Sequence, residues 1–169
     1  MGKVVGWKEL IELRKGWGGK RVVFTNGCFD LLHIGHIRCL QEAKKLGDLL
    51  IVGLNSDSSV RKIKGKKRPI VPQKERATIL AALKMVDYVC IFDEETPYHL
   101  ISLLQPDYIV KGGDWRPEEV VGKEVVEGRG GRVVTVEVVE ERSTHGLIQR
   151  ILKRYCPGRE KNPKSSLDR

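Results

Sequence analysis

Two histidines follow a glycine turn in residues 25–36 of this chain, which read TNGCFDLLHIGH. A β-type run, residues 21–25, enters this stretch, and a run with helical periodicity leaves it. His33 and His36 are three residues apart, so one turn of helix puts both rings on the same side. Gly35 between them lets a ligand approach the backbone, because it has no Cβ atom. The start of a helix also attracts anions, so the stretch predicts a phosphate site with imidazole donors.

Alternating strand-like and helix-like segments must position this stretch. Residues 49–54 form a nearly continuous apolar run, which is typical of a central parallel strand covered on both faces. The predicted strands are residues 21–25, 49–54, 88–92, 108–110 and 133–139. Helical periods separate them, so the sequence predicts an α/β fold with a parallel sheet and helices on both faces. In such a sheet, ligands bind at the carboxyl ends of the strands.

Three further motifs are predicted to reach the same edge of the sheet. Residues 61–72 are rich in Lys and Arg and are broken by glycine and proline, so we expect a long loop there. Residues 111–115, Lys-Gly-Gly-Asp-Trp, follow a predicted strand. Ser143 and Thr144 open a strongly periodic helix, whose first N–H groups could bind phosphate.

Composition limits the possible classes of protein. The 169 residues are 40% hydrophobic and 31% charged, and we expect one globular domain, residues 1–156, that begins with a helical extension over residues 1–20. Residues 157–169 read as a disordered tail. Four scattered cysteines, with neither a signal peptide nor a membrane span, favour the cytoplasm. The net charge of +9 favours anionic partners, either nucleic acid or phosphorylated metabolites.

Taken together, the motifs resemble the HxGH nucleotidyltransferases, the cytidylyltransferase-like superfamily. The matching residues are Gly27-Cys28-Phe29-Asp30, His33-x-Gly35-His36, Lys64-Gly65-x-x-Arg68-Pro69, Glu75-Arg76, Lys111-Gly112-Gly113-Asp114-Trp115 and Ser143-Thr144. The sequence is especially similar to the heptose-1-phosphate adenylyltransferases, which form the second domain of bifunctional ADP-heptose synthases. The resemblance implies a Rossmann-like sheet of five parallel strands.

The resemblance also implies a reaction. AMP would pass from ATP to a heptose 1-phosphate, giving ADP-heptose and pyrophosphate with Mg²⁺ present. The attacking phosphate oxygen is already an anion, so the enzyme needs donors and alignment but no general base. The expected partners are ATP and a sugar phosphate, with no nucleic acid and no membrane. A homodimer is possible, and a separate heptose kinase is expected in the pathway.

The site residues divide into three groups by the role that the resemblance implies. The catalytic residues are His33, His36 and Lys64. The nucleotide-binding residues are Gly27, Cys28, Phe29, Gly35, Lys111, Gly112, Gly113, Asp114, Ser143 and Thr144. The acceptor-binding residues are Asp30, Arg68, Arg76 and Trp115.

Other interpretations of these residues stay open at this stage. The histidines could be ordinary helix residues or a zinc pair with Cys28 or Asp30, and Asp30 could instead cap a helix. Arg76 could form a surface ion pair. Ser143 and Thr144 could be a plain N-cap, followed by His145 where the family usually has Thr.

Two rival functions also remain. One is a cytidylyltransferase acting on glycerol 3-phosphate or another small phosphate. The other is a nucleic-acid-binding protein that uses the basic residues 61–68, Lys66 and Lys67 among them. An aromatic content of only 6% counts against the second, because no stacking platform for bases is visible.

Overall fold

A computed structural model describes residues 1–113, 115–136 and 143–156. Its strands are β1 (Lys3–Val5), β2 (Val22–Gly27), β3 (Leu49–Asn55), β4 (Tyr88–Phe92), β5 (Tyr108–Gly112) and β6 (Arg132–Val136). Its helices are α1 (Trp7–Lys15), α2 (Ile34–Lys45), α3 (Asp57–Lys64), α4 (Gln73–Ala82), α5 (Tyr98–Leu104), α6 (Lys123–Glu127) and α7 (Thr144–Tyr155). A single 3₁₀ turn, Pro117–Glu119, precedes α6.

The strands form one parallel sheet in the order β1-β4-β3-β2-β5-β6. β2 is therefore central, with Thr25 opposite Val52 of β3 on one side and Val110 of β5 on the other. The predicted α/β class and parallel sheet are confirmed. Reversal of the strand order next to β2 also creates the crevice at which such sheets bind ligands.

Helices cover both faces of the sheet. Successive side chains of each strand point to opposite faces, so the apolar strand residues form two cores, one on each side. Phe24 and Ile51 belong to the core that includes residues of α1, α5 and α6. Val23 and Val52 belong to the core that includes residues of α2 and α4. All four side chains are fully buried, as expected for central strands with apolar residues on both faces.

The structure adds a sixth strand to the five that were predicted. β1 pairs with β4 at the edge of the sheet, and the Lys3 N–H also donates to the Asp87 carbonyl at 2.9 Å. Only Val5 of its three residues is buried, so the run is too short to show a period of two. α1 follows directly, and the Trp7 indole Nε1 donates to the Ile91 carbonyl at 2.8 Å. The opening residues thus belong to the sheet and are not only a helical extension.

The predicted loop over residues 61–72 is shorter than expected, because α3 continues to Lys64. Ser56 caps α3 by accepting from the Ser59 N–H at 3.2 Å, and Val60 is fully buried beneath it. The helix has too few apolar residues for its period to be visible in the sequence. Of the predicted last strand, residues 137–139 lie outside the described residues, as does the predicted tail, residues 157–169.

Candidate active site

The carboxyl ends of β2, β3 and β5 lie side by side at one edge of the sheet. β2 ends at Gly27, β3 at Asn55 and β5 at Gly112. All strands run in the same direction, so whatever follows each strand is delivered to this edge. The turn that carries the two histidines follows the central strand, between the residues that leave β3 and those that leave β5.

The two histidines lie together at the start of α2. His33 is the N-cap residue and His36 lies in the first turn, and their ring centroids are 3.7 Å apart with the planes inclined by 26°. Neither Nδ1 atom has a hydrogen-bond partner within the residues that the structure describes, although both atoms are buried. Burial lowers the pKa of His33, and burial together with the charge of His33 lowers the pKa of His36 to about 3. Both rings are therefore neutral at pH 7, and each can donate one N–H.

The turn before the histidines has a strained backbone. Phe29 has φ of 43°, which is uncommon for a residue with a side chain, yet it is only 6% exposed. Its ring contacts His36, with centroids 5.0 Å apart. A Cβ atom on Gly27 would come within 3.1 Å of the same ring. The absence of a Cβ atom at Gly27 thus leaves room for the Phe29 ring, and strained backbone of the kind seen at Phe29 is often found at functional sites.

Asp30 anchors the basic loop, residues 65–72. Its carboxylate accepts hydrogen bonds from Arg68 Nε at 2.5 Å, from the Ile70 N–H at 2.9 Å and from the Val71 N–H at 2.9 Å. Burial pushes the pKa of Asp30 up, but these hydrogen bonds together outweigh burial and hold the pKa below its usual value. It does not cap α2, since that helix begins at Ile34 with His33 as its N-cap. Asp30 therefore binds the loop, which was not predicted.

Arg76 is buried, so the alternative of a surface ion pair does not apply. It is 1% exposed, and its guanidinium donates to the carbonyls of Val71, Cys28 and Asn55 at 2.8, 2.5 and 2.9 Å. It also donates to Asp57 at 2.7 Å. These four contacts direct the guanidinium to the protein, so the predicted binding of the acceptor phosphate has no support from its geometry. Arg76 instead ties together three segments that border the site.

Basic side chains gather around the turn after β2. Burial raises the pKa of the Cys28 thiol, and the nearby charges of Lys64, Arg76 and Arg68 oppose that rise. Lys64 is exposed at the end of α3, whereas the side chain of Arg68 is only 17% exposed. The structure thus places Lys64 and Arg68 near the histidine turn, and their contact with phosphate stays a prediction. Lys66 and Lys67 are exposed on the loop.

The end of β5 supplies a half-buried cation, Lys111. Lys111 Nζ donates to the Asn26 side-chain oxygen and lies 5.6 Å from the centroid of the Trp115 ring. Burial lowers the pKa of Lys111 to about 8, and its neighbours Cys39 and Cys28 partly oppose that shift. Trp115 is 49% exposed, so it covers the lysine and leaves much of its indole available to a ligand.

The glycines after Lys111 bring the backbone close to its neighbours. A Cβ atom on Gly112 would lie 3.1 Å from the Cys39 sulfur of α2, and Gly113 has φ of 117°. The Gly113 N–H donates to the Val136 carbonyl at 3.1 Å. Asp114, the fourth residue of this motif, lies outside the described residues.

The start of α7 adjoins the histidine turn. Ser143 is the N-cap and its hydroxyl accepts from the Gly146 N–H at 3.0 Å, which is the contact of a plain cap. Thr144 donates to the Leu31 carbonyl at 3.3 Å. His145 is exposed. A groove of about 360 Å³ separates the histidine turn from α7 and is lined by Phe29, Asp30, Leu31, Leu32, Val71, Arg76, Ile79, Leu147 and Ile151.

Asn26 and Asp57 were not predicted as site residues, although both lie next to predicted motifs. Asn26 precedes the glycine turn, and Asp57 belongs to a polar triplet that follows β3. Their roles depend on Lys111 and Arg76, which are 85 and 19 residues away in the chain. Their position at strand ends was the only signal in the sequence.

A zinc site has no support in this geometry. Across residues 1–113, 115–136 and 143–156, no three His, Cys, Asp or Glu side chains are placed to hold a metal ion. In the same ranges, no helix has the length and apolar character needed to cross a membrane.

Comparison with known proteins agrees with the fold and the motifs. The family model described as Cytidylyltransferase-like matches residues 24–155. The bifunctional protein HldE of Syntrophotalea carbinolica is 60% identical over 151 residues, which are 89% of this chain and 31% of that protein. The chain therefore spans about a third of the length of this relative.

Two solved structures share the architecture. The lipopolysaccharide core biosynthesis protein from Thermoplasma volcanium is 34% identical with a TM-score of 0.59, covering 72% of this chain and 98% of that one. Pantoate-beta-alanine ligase from Francisella tularensis, in complex with an ATP ligand and beta-alanine, has a TM-score of 0.63 over 85% of this chain and 69% of that one. At 16% identity, the ligase shows the fold alone. The family model covers most of the chain and the motifs stand together at one sheet edge, so the chain belongs to the cytidylyltransferase-like family.

Proposed function

We propose that this chain transfers AMP from ATP to a heptose 1-phosphate. An oxygen of the sugar phosphate attacks the α-phosphorus of ATP, the bond from that phosphorus to the bridging oxygen breaks, and pyrophosphate leaves. The observation that carries the proposal is the stacked neutral pair, His33 and His36, beside a basic loop at the carboxyl edge of the sheet. Such a site binds anions and supplies donors in a fixed geometry.

In this mechanism, each group has a role that fits its charge. The neutral rings of His33 and His36 donate N–H groups to the transferring phosphate, where charge develops. Lys64 and Arg68 offset the repulsion between the two phosphate-bearing substrates. No residue removes a proton from the nucleophile, because a phosphate oxygen is already ionised at pH 7. Catalysis then rests on alignment and electrostatic stabilisation.

Magnesium would enter this site with the nucleotide. Mg²⁺ prefers one or two carboxylates together with substrate phosphates and water. Both oxygens of Asp30, the buried carboxylate of the histidine turn, already accept hydrogen bonds from the loop. We therefore assign no residue of the chain as a magnesium ligand, and the phosphate oxygens of ATP would carry the ion.

Support for a heptose acceptor comes from similarity. The motifs resemble those of heptose-1-phosphate adenylyltransferases, and the relatives include HldE proteins and a lipopolysaccharide core biosynthesis protein. A separate kinase that phosphorylates a heptose at its anomeric carbon is the expected source of the acceptor. We place the reaction in the cytoplasm, where ATP and reduced cysteines coexist. A homodimer stays a prediction, and sedimentation velocity of the purified protein would test it.

A pyrophosphate-release assay tests the proposal. The purified protein is given each nucleoside triphosphate with a panel of sugar phosphates and glycerol 3-phosphate. We expect turnover with ATP and a heptose 1-phosphate, and little with CTP and glycerol 3-phosphate. A preference for the second pair would replace the substrate assignment but leave nucleotidyl transfer in place. Activity that persists undiminished in the double variant His33→Ala, His36→Ala would contradict the role proposed for the histidine pair.

A further inference from the structure

We propose that Asp30 is a positioning residue, which orients the guanidinium of Arg68 towards the phosphate of the acceptor and does not bind the acceptor itself. This inference rests on the proposed function, because it assumes that the acceptor carries a phosphate. It assigns a role to the one buried carboxylate of the histidine turn.

The carboxylate of Asp30 is fully used within the protein. Its side chain is 0% exposed, and both of its oxygens accept hydrogen bonds from the loop. Oδ2 accepts from Arg68 Nε at 2.5 Å and from the Ile70 N–H at 3.0 Å, while Oδ1 accepts from Ile70 and Val71, each at 2.9 Å. A substrate hydroxyl or a metal ion would have to displace these donors.

Arg68 is held by one edge of its guanidinium. Only Nε has a partner in the part of the chain that the structure describes, so the two terminal nitrogens are available to a ligand. A guanidinium is planar and rigid, and fixing Nε therefore fixes the direction of the remaining N–H groups. Paired N–H groups of this kind suit two oxygens of a phosphate.

The surroundings of Arg68 place it close to the histidine turn. Its charge, like that of Lys64, is close enough to influence the Cys28 thiol in the turn before His33. The loop also carries Lys66 and Lys67, so its positive charges repel one another. A single buried carboxylate beneath the loop offsets this repulsion and holds the loop against the histidine turn.

Double-mutant kinetics test this role. We expect Asp30→Asn and Arg68→Ala each to raise KM for the sugar phosphate by about 10-fold or more, the loss typical of one charge-assisted hydrogen bond. KM for ATP should change much less. The double variant should be no worse than Arg68→Ala alone, because Asp30 acts through Arg68. Losses that multiply would overturn the proposal, since they would mean that Asp30 contacts the acceptor independently.

Two further variants separate positioning from general stability. Asp87→Asn is the matched control, because Asp87 also accepts hydrogen bonds from a backbone N–H and a basic side chain. Its partners are the Leu50 N–H at 2.7 Å and Lys44 at 2.6 Å. Asp87 directly precedes β4, so it lies at the amino ends of the strands, away from the site. Asp87→Asn should lower the melting temperature, but it should not raise KM for the sugar phosphate relative to KM for ATP. Arg68→Lys should not restore the sugar-phosphate KM, because an ammonium cannot meet Asp30 and a phosphate with a fixed planar edge. Full restoration by Lys would contradict the proposal.

Hydrogen exchange gives a readout that needs no substrate. In Asp30→Asn, the amides of Ile70 and Val71 should exchange faster than in the parent protein, with exchange in β2 and β5 unchanged. If the parent protein shows no activity with any sugar phosphate, the proposed function fails, and the exchange rates still decide whether Asp30 holds the loop. Unchanged exchange at both amides would overturn the positioning role whatever the substrate.

Discussion

The imidazole rings of His33 and His36 are stacked, with centroids 3.7 Å apart. Two cations at that separation would repel strongly, and burial already disfavours charge on either ring. The pair is therefore held neutral, as the lowering of the His36 pKa to about 3 indicates. In the proposed mechanism, the neutral pair stabilises a phosphate through directed N–H groups, while Lys64 and Arg68 supply the charge.

Removing either ring should affect the rate more than nucleotide binding. His33→Ala and His36→Ala should each reduce turnover by about 10²–10³, the typical cost of losing one preorganised donor. ATP affinity should fall much less, because other groups also hold the phosphates. Steady-state rates and calorimetric ATP titrations measure the two effects, with His99→Ala, a change at an exposed position of α5, as the control. Near-normal turnover in both single variants would remove the pair from the mechanism.

Acid should destabilise the protein through His36. Its pKa is about 3 in the folded chain against an ordinary value of 6.5, so the unfolded state binds more protons between those pH values. The free energy of unfolding should therefore fall as pH falls through this window. His36→Gln cannot take up the proton, and it should lose less stability between pH 7 and pH 5. Urea denaturation at both pH values measures this, and parallel losses in parent and variant would refute it.

Lys111 should produce a trend of the same sign at high pH. Its pKa is about 8 in the fold against 10.5 for an ordinary lysine, so between these values the unfolded state binds more protons. Stability of the parent should rise with pH through this window, relative to Lys111→Met, which has no titrating group. Melting temperatures of both proteins at pH 7 and pH 10 test this. The variant should also bind ATP more weakly at pH 7, where Lys111 carries its charge.

The end of α3 supplies a clean test of the basic loop. Lys64 is exposed and its ammonium has no hydrogen-bond partner in the described ranges, so Lys64→Ala should leave the melting temperature nearly unchanged. Its turnover should fall by about 10-fold or more if the charge meets a phosphate. Lys62→Ala, two residues earlier on the same helix, should be close to the parent protein. Equal losses in the two variants would mean that both lysines act only through the overall positive potential of this region. A salt titration would show this, because salt screens long-range electrostatic effects.

The sequence was most informative where the signal is local. The spacing of His33 and His36 after a glycine turn, the alternation of strands and helices, and the cap at Ser143 all depend on residues close together in the chain. The structure confirms the parallel sheet, the helix that starts at the histidines and the Ser143 cap. Such features follow from periodicity and helix-end chemistry, which a single sequence displays.

The roles of Asp30 and Arg76 could not be predicted in this way. Asp30 meets Ile70 across 40 residues of chain, and Arg76 meets Cys28 across 48. An acid or an arginine near a ligand site looks the same in sequence whether it faces the ligand or the protein. Only the three-dimensional contacts show that both carry their charge inwards, where they hold the segments that border the site.

The short strand β1 also protects the sheet. Without Lys3–Val5, the backbone N–H and C=O groups of β4 would face solvent along one side, next to the apolar residues Val89 and Cys90. An unpaired edge of this kind is a template for strands from other molecules. β1 and the indole of Trp7, which donates to the Ile91 carbonyl, close that edge. The sheet therefore ends on this side in a strand of only three residues, Lys3–Val5, which offers a partner far less backbone than β4 would.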